Sequence, residues 1–299
     1  MNIYTIIVSY NGIQWHDRCL DRLRKSNPKT NVIVIDNAST DNSVSQIKEN
    51  YPEVYLIENN SNIGFAKANN IGIKKALENN ADYVFLLNQD AWIEDDTLGE
   101  LINTFKESDS VGIVSPIHLN GSNTGLDIGF TRCMGSDFIS DAYMGELKKH
   151  YSVPYVNAAA WMLSRQCLEK IGGFDTLLFT HYGEDNNYCQ RLFYHKMQLL
   201  INTKARIYHD REQRMSGCDN HREQWRKVIE TEEIAEQWSD INIDYNFCQI
   251  RKRYRNKRLK ALLMSNLTAA KQYTQILNTI ASVEKSREIN KTKGCHWIS

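Results

Sequence analysis

The chain has 299 residues, of which 41% are hydrophobic and 24% are charged, so it can bury a substantial core in one large domain or two smaller ones. Its 36 basic and 36 acidic side chains balance, which gives no support for nucleic acid or another strongly anionic partner. The seven cysteines are scattered and form no Cys-x-x-Cys pair. This argues against a disulfide scaffold or a zinc cluster and favours a reducing cytosol.

The first residues lead directly into a strand-like apolar run at 3–8. A basic leader region and a small-residue cleavage site are not apparent there. No apolar run in the sequence approaches the roughly 20 residues that cross a bilayer. We therefore expect a cytoplasmic protein that meets a membrane only peripherally.

Residues 1–110 repeat one pattern, in which a short β-branched run is followed by a polar turn and a segment of helical spacing. Strands are predicted at 3–8, 32–35, 54–57 and 84–88, with helices at 15–23, around 44–47 and at 65–77. Strands that alternate with helices predict a parallel sheet, and near-continuous apolar strands predict helices on both faces. The predicted fold class is α/β, with a doubly wound, mostly parallel, Rossmann-like sheet.

The pattern loosens after residue 110. We predict a strand at 111–114, loops and short strands that form an acceptor-side wall over 120–151, and a regular segment at 155–163. A short helix at 164–171 should end at Gly172, because glycine is common just past a helix end. A helix at 185–195 and two short strands at 199–201 and 205–208 follow. We therefore predict one domain over 1–218, with a nucleotide-binding half at 1–110 and an acceptor or catalytic half at 111–218.

The remaining residues, 219–299, are predicted to form a helical C-terminal extension. The segment 219–250 has eight acidic and three basic residues, whereas 251–260 has seven basic residues and no acidic one. One interpretation is a solvated helical appendage. The other is a polybasic or amphipathic surface that contacts an anionic bilayer. The sequence leaves both open.

Asp36 ends the second predicted strand, where nucleotide-binding α/β proteins place a carboxylate that contacts the base or ribose. Asp41 lies five residues later, and we expect it to cap the next helix. Neither of the glycine-rich phosphate-binding motifs occurs, which weakens a dinucleotide dehydrogenase or P-loop interpretation.

Three further positions carry candidate chemistry. Asn88, Gln89 and Asp90 end a buried strand, so they offer either hard oxygen ligands for a divalent cation or a simple turn. Glu184 and Asp185 precede a helix, where one carboxylate could act as a general base or both could serve the helix N-terminus. His209 follows a strand and is either a metal ligand or a structural histidine.

In this order, these pieces resemble the family 2 glycosyltransferases of the GT-A type. The resemblance covers roughly residues 3–217. The segments that carry it are 6–11, 34–43, 62–72, 86–90, 172–175 and 184–185, together with His209 and Ser216.

The resemblance implies inverting transfer of a hexosyl group from a UDP- or dTDP-sugar to an acceptor hydroxyl, assisted by Mg²⁺ or Mn²⁺. It implies Asp185 as the catalytic base with Glu184 beside it, and Asp90 and His209 as metal ligands. The nucleotide-binding positions that it implies are Ser9, Asp36, Asn37, Lys67 and Asn88. Two positions depart from the common pattern: Asn88 replaces the first acid of the Asp-x-Asp motif, and Asn187 replaces a further acid.

Relatives with similar motifs often assemble bacterial surface polysaccharide, such as O-antigen or capsule, on lipid-linked acceptors. The resemblance therefore implies a cytoplasmic enzyme that contacts the inner face of the plasma membrane through 251–260. Two alternatives stay open. A sugar-phosphate nucleotidyltransferase would usually need a glycine-rich basic loop near the first strand, and residues 9–12 supply none. A non-catalytic nucleotide-sugar-binding module would agree with the loss of an acid at Asn88.

Overall fold

A computed structural model describes residues 1–179, 182–211 and 234–298. In the first half the elements are β1 Ile3–Ser9, α1 Ile13–Lys25, β2 Asn31–Asp36, α2 Ser43–Asn50, β3 Tyr55–Glu58, α3 Phe65–Glu78, β4 Tyr83–Leu87, β5 Ala91–Ile93 and α4 Thr97–Phe105. They are followed by β6 Val111–Asn120, α5 Ile128–Cys133, α6 Ser136–Met144, β7 His150–Ser152, β8 Ala160–Ser164, α7 Arg165–Ile171, α8 Glu184–Tyr194 and β9 Gln198–His209. The extension contains α9 Phe247–Leu263 and α10 Leu267–Asn290.

The strands of the described residues form one nine-stranded sheet in the order β3-β2-β1-β4-β8-β6-β9-β5, with β7 beside β9. The first four strands in this order pair in parallel, as does β6 with β9. The other pairings, which involve β5, β7 and β8, are antiparallel. The predicted α/β class is therefore confirmed, and most of the parallel pairing lies among the strands of residues 1–110.

Helices cover both faces of the sheet because successive residues of each strand point to opposite sides. Ile6 of β1 joins one apolar cluster with side chains from α3, α7 and α8. Its neighbours Ile3 and Ile7 join a second cluster with side chains from α1, α2 and α4. On α3, a Cβ at Gly72 would lie 2.5 Å from Ile6 Cγ2, so glycine allows that helix to pack closely against the sheet.

Two sequence predictions in the second half differ from the structure. Residues 120–151 contain the helices α5 and α6, which were not predicted, in addition to loops and the start of the short strand β7. Two of the residues that suggested loops flank these helices instead: Asp127 precedes α5 and accepts a hydrogen bond from Phe130 N at 2.8 Å, and Gly145 follows α6 with a φ of 74°. Residues that end helices also favour turns, so the sequence alone did not separate the two.

The two short strands predicted at 199–201 and 205–208 are one continuous strand, β9. Its pairing with β6 shifts between Pro116, opposite Asn202, and Ile117, opposite Arg206. Asn202 Oδ1 accepts hydrogen bonds from the backbone N–H groups of Lys204 and Ala205. The extra residues therefore form a bulge in a single strand.

In the extension, α9 and α10 form a helical hairpin that is joined to the rest of the fold. Ile276, Ile280 and Val283 of α10 pack with Phe179 and Trp238. Among the helices that the structure describes, none combines the length and the apolar character of a membrane span.

Candidate active site

A cavity of about 580 Å³ lies at the carboxyl ends of β1 and β4. Its lining includes Asn88, Gln89, Glu184 and Asp185, together with Tyr155. The turn between β4 and β5 supplies the first two of these residues, and the N-terminus of α8 supplies the acidic pair. Two candidate groups that are almost 100 residues apart in the chain therefore face one space.

Behind Asn88, the segment 88–90 meets His209. The β5·β9 pairing places Ala91 opposite His209, so Asp90 reaches the imidazole. Asp90 Oδ1 lies 3.4 Å from His209 Nε2, and both side chains are buried. Asn88 Nδ2 is also 3.4 Å from that nitrogen. One carboxylate and one imidazole thus converge next to the cavity, and Asn88 lies between them and the open space.

The Gln89 side chain binds the backbone of Tyr10 rather than His209. Its Oε1 accepts a hydrogen bond from Tyr10 N at 2.9 Å, and its Nε2 donates to Tyr10 O at 3.2 Å. The approach is close because Gly12 lies beside it: a Cβ there would be 2.2 Å from Gln89 Oε1. The end of β1 and the end of β4 are therefore held together by one amide side chain.

Two buried residues that the sequence analysis missed complete the surroundings of His209. Asp127 Oδ2 lies 3.6 Å from His209 Nδ1 and 2.9 Å from Arg211 Nε. His118, Asp127 and His209 each offer a ligand atom, and these atoms lie within 4.8 Å of one another. Burial lowers the pKa of His118 well below its usual value, so this imidazole is neutral. Its Nδ1 has no hydrogen-bond partner among the described residues.

No local signal in the sequence points to this cluster. His118 lies within a strand, and Asp127 has the position of a helix cap. They come together because β6 pairs with β9, with Asn120 opposite His209. This pairing joins segments about 90 residues apart, so only the tertiary fold reveals it.

The acidic pair at the start of α8 has two different environments. Glu184 is buried, whereas Asp185 is partly exposed. Tyr155 Oη donates a hydrogen bond to Asp185 Oδ2 at 2.8 Å, and Asn186 N donates to Oδ1 at 2.8 Å. Burial raises the pKa of Asp185, and these hydrogen bonds oppose the rise. A carboxylate with a raised pKa that faces a cavity can accept a proton near neutral pH.

The other nucleotide-binding candidates lie at the ends of β1 and β2 and on the first turn of α3, outside the residues that line the cavity. Ser9 is opposite Asp36 in the β1·β2 pairing, and its hydroxyl is 2.9 Å from His16 Nε2. Asp36 accepts hydrogen bonds from Ser39 N and Ser39 Oγ.

The Asn37 side chain makes two hydrogen bonds in the same region. Its Nδ2 donates to Gly64 O, and its Oδ1 accepts from Asn59 Nδ2. Lys67 is exposed on the first turn of α3. Asp41 accepts a hydrogen bond from Ser43 N at the start of α2, as expected for a residue that helps to begin that helix. Ser216 lies outside the described residues.

Comparison with known proteins gives a family for this arrangement. The sequence pattern of the family described as "Glycosyl transferase family 2" matches residues 4–172. The chain is 23% identical over 209 residues to the dTDP-rhamnosyl transferase RfbF of Shigella flexneri, which covers 70% of this chain and 69% of that protein. It is 28% identical over 166 residues to the low-salt glycan biosynthesis hexosyltransferase Agl10 of Haloferax volcanii. That match covers 53% of this chain and 52% of the relative.

The fold is similar to that of a solved structure, GalNAc-T7 with UDP, GalNAc and Mn²⁺, with a TM-score of 0.64 and 16% identity. The match covers 100% of this chain and 56% of that one, so this chain spans little more than half the length of that protein. At this identity the likeness shows the fold alone. It confirms the GT-A architecture that the sequence motifs predicted.

Proposed function

The chain belongs to glycosyltransferase family 2, and from that premise we propose that it transfers a hexosyl group from a UDP- or dTDP-sugar to an acceptor hydroxyl with inversion. The observation that supports this most directly is the convergence at one cavity of two kinds of group. Asp185 faces the cavity from α8, and Asn88 joins it to the buried Asp90 and His209. A base for the acceptor and ligands for a cation therefore adjoin one binding space.

We propose that Asp90 and His209 hold a divalent cation. Their carboxylate oxygen and imidazole nitrogen are 3.4 Å apart and buried, which fits a shared ion. A nitrogen ligand is less suited to Mg²⁺, which takes oxygen ligands, so this pair favours Mn²⁺. When bound, the cation would neutralise the charge that develops on the departing diphosphate. Asp127 lies on the opposite side of the His209 ring and supports its orientation.

We propose that Asp185 removes the proton from the acceptor hydroxyl. Tyr155 holds one carboxylate oxygen, and the backbone of Asn186 holds the other. These bonds fix the carboxylate while its raised pKa keeps it basic enough to accept a proton. Glu184, its buried neighbour, is proposed to shape the acceptor side of the cavity. One base opposite the leaving group is sufficient for inversion.

The nucleotide is proposed to contact Ser9, Asp36, Asn37, Lys67 and Asn88. Asp36 already accepts two hydrogen bonds from Ser39, but a carboxylate has about four lone-pair sites. It can therefore still accept an N–H of a pyrimidine base. Lys67 is exposed and carries a positive charge that suits a diphosphate.

We propose that the acceptor is a lipid-linked glycan and that the setting is bacterial surface polysaccharide, such as O-antigen or capsule. The similarities to a protein named as a dTDP-rhamnosyl transferase and to one named as a glycan biosynthesis hexosyltransferase support a sugar donor and a glycan product. We propose that the catalytic domain comprises residues 1–218, with a nucleotide-binding half at 1–110 and an acceptor or catalytic half at 111–218. Residues 219–299 form the extension. The boundary near 218 lies outside the described residues. The basic segment 251–260 is proposed to contact the inner face of the plasma membrane from the cytoplasm.

Hydrolysis of a panel of UDP-, dTDP- and GDP-sugars, with Mn²⁺ or Mg²⁺ and without added metal, tests the proposal. We expect metal-dependent release of free sugar and nucleoside diphosphate from one donor. Asp90→Ala should abolish this metal-dependent release. Asp95→Ala, which changes an exposed acid nearby in the sequence, should leave it intact. Asp185→Asn should slow transfer by a factor of roughly 10² to 10⁴ with the fold intact. Pyrophosphate release would indicate a nucleotidyltransferase, and no turnover with any donor would indicate a binding module.

A further inference from the structure

The end of the α9–α10 hairpin, residues 259–267, exposes a cluster of large apolar side chains. The exposed fractions are 80% for Leu263, 69% for Met264 and 72% for Leu267. Leu259 and Leu262 are also exposed. The small side chains of Ala261 and Ala270 are the ones buried between the helices here. The hairpin therefore turns its largest apolar groups away from its own packing, and exposed apolar patches of this kind mark contact surfaces.

The charge around this cluster is of one sign. Residues 246–283 contain eight basic side chains and no acidic one. Two of the eight have partners within the hairpin, because Arg251 pairs with Glu284, and Lys257 lies over the rings of Tyr254 and Tyr273. The remaining six are exposed: Lys252, Arg253, Arg255, Arg258, Lys260 and Lys271.

Basic and apolar groups share one face of α9. Lys252, Arg255 and Leu259 follow one another at spacings of three and four residues, and Leu263 continues the same row. Along this face the basic residues lie toward the N-terminus of α9, and the apolar residues lie at its C-terminal end, next to the connection to α10. A helix surface of this composition suits the boundary between anionic headgroups and acyl chains.

We infer that residues 259–267 insert their apolar side chains into the surface of an anionic bilayer, while the basic residues of α9 bind the headgroups. A contact with charged headgroups alone would use the basic face and leave Leu263, Met264 and Leu267 in water. A second copy of the chain is a poorer partner, since pairing two hairpin ends would bring two sets of eight positive charges together.

The hairpin end lies beyond the residues that pack the hairpin against the rest of the fold. Ile276 is the buried α10 residue of the apolar cluster that is nearest in sequence to the hairpin end. It lies nine residues from Leu267, which is about 14 Å at a rise of roughly 1.5 Å per residue.

The root of the hairpin, in contrast, adjoins the cavity wall. Phe179 belongs to the root cluster, and Glu236, which lines the cavity, accepts a hydrogen bond from Asn186. If the acceptor is lipid-linked, a point that rests on the proposed function, docking through the hairpin end would hold the cavity near the bilayer.

Flotation of the full chain with vesicles tests the inference. One vesicle is phosphatidylcholine alone, and the other also contains phosphatidylglycerol. We expect binding to the anionic vesicle, and a loss of about tenfold or more in the double variant Leu263→Gln and Met264→Gln, which leaves every charge in place. The matched control is Ile139→Gln with Met144→Gln, an exposed Ile and Met on α6, and it should bind like the wild type.

Three results would overturn the inference. Wild-type binding by the hairpin variant would show adsorption by charge alone, and the same loss in the α6 variant would place the contact elsewhere. No binding of the wild type to anionic vesicles would remove the bilayer as partner. If light scattering then finds a dimer that the hairpin variant dissociates, the partner is a second copy. Donor hydrolysis in solution needs no vesicle, so its failure would count against the proposed function and not against the hairpin.

Discussion

The hydrogen bond between Tyr155 and Asp185 allows the proposed base to be tested by a change in pH dependence. Tyr155→Phe removes one O–H that donates to Asp185 Oδ2 at 2.8 Å and keeps the aromatic ring. Burial raises the pKa of Asp185, and the Tyr155 hydrogen bond is the largest effect that lowers it. Loss of that bond favours the protonated carboxyl, so the pKa should rise further.

The size of the effect follows from the strength of a hydrogen bond to a charged group, about 1.5 to 3 kcal/mol. Asp185 opens onto the cavity, where water can partly replace the lost donor, so the lower figure applies. About 1.4 kcal/mol corresponds to a factor of ten in an equilibrium constant. We therefore expect the acid ionisation constant of Asp185 to fall about tenfold.

The assay is kcat/KM against pH, over about pH 5 to 9, for the wild type and Tyr155→Phe. A base works when deprotonated, so the acid limb should move to higher pH in the variant. At pH values below the acid limb, kcat/KM of the variant should be about tenfold lower than that of the wild type. Above the limb the two values should differ little. Burial and Asp185 raise the pKa of Tyr155 itself, so its hydroxyl stays protonated throughout and adds no limb of its own.

Tyr51→Phe is the matched control, because Tyr51 donates to the carboxylates of Asp17 and Asp21, which do not line the cavity. It should leave the profile unchanged. An acid limb that stays in place in Tyr155→Phe, or moves to lower pH, would refute the assignment of Asp185 as the base.

Other changes test the surroundings of the site and the extension. Asp127→Asn keeps a cap for α5 but removes the charge near His209, so we expect a 10- to 100-fold loss of Mn²⁺ affinity, measured by calorimetry on the folded variant. Equal affinity would contradict the orienting role. Gly12→Ala places a Cβ 2.2 Å from a side-chain oxygen and should lower the free energy of unfolding by about 1 to 3 kcal/mol, whereas Gly125→Ala, with open space around it, should not. Asn290→Ala removes a donor from the buried Asp175 carboxylate and should cost about 1.5 to 3 kcal/mol in urea unfolding; an unchanged midpoint would contradict this.

The first half of the fold could be predicted because its signals are local. Each of its strands is a short apolar run that ends in a polar turn, and the helices between them have regular apolar spacing. The carboxyl ends of parallel strands meet at one sheet edge, so the positions of Asp36 and Asp90 followed from the order of the elements. Asp90 and His209 do meet, as the motif order implied.

The second half could not be predicted as well, because its signals depend on distant pairing. His118 and Asp127 approach His209 only through the β6·β9 pairing and its bulge. At that bulge, Asn202 Oδ1 accepts hydrogen bonds from Lys204 N and Ala205 N, and no apolar pattern encodes these contacts. Similarly, Tyr155 contacts Asp185 because the loop before β8 packs against α8. The apolar spacing within each segment does not reveal a contact between the two.

The two interpretations that the sequence left open, a solvated appendage and a bilayer-contacting surface, concern only part of the extension. Asp175, in one of the segments that resemble the family, is fully buried, and its carboxylate accepts hydrogen bonds from Ser286 and Asn290 of α10. A buried carboxylate without such donors is strongly destabilising, so removal of α10 would disturb the catalytic part as well. The exposed large apolar side chains of α9 and α10 all lie at the hairpin end, within residues 259–267. The root of the hairpin is therefore part of the fold, and the question of a solvated or a lipid-bound surface applies to residues 259–267 and the basic face that leads to them.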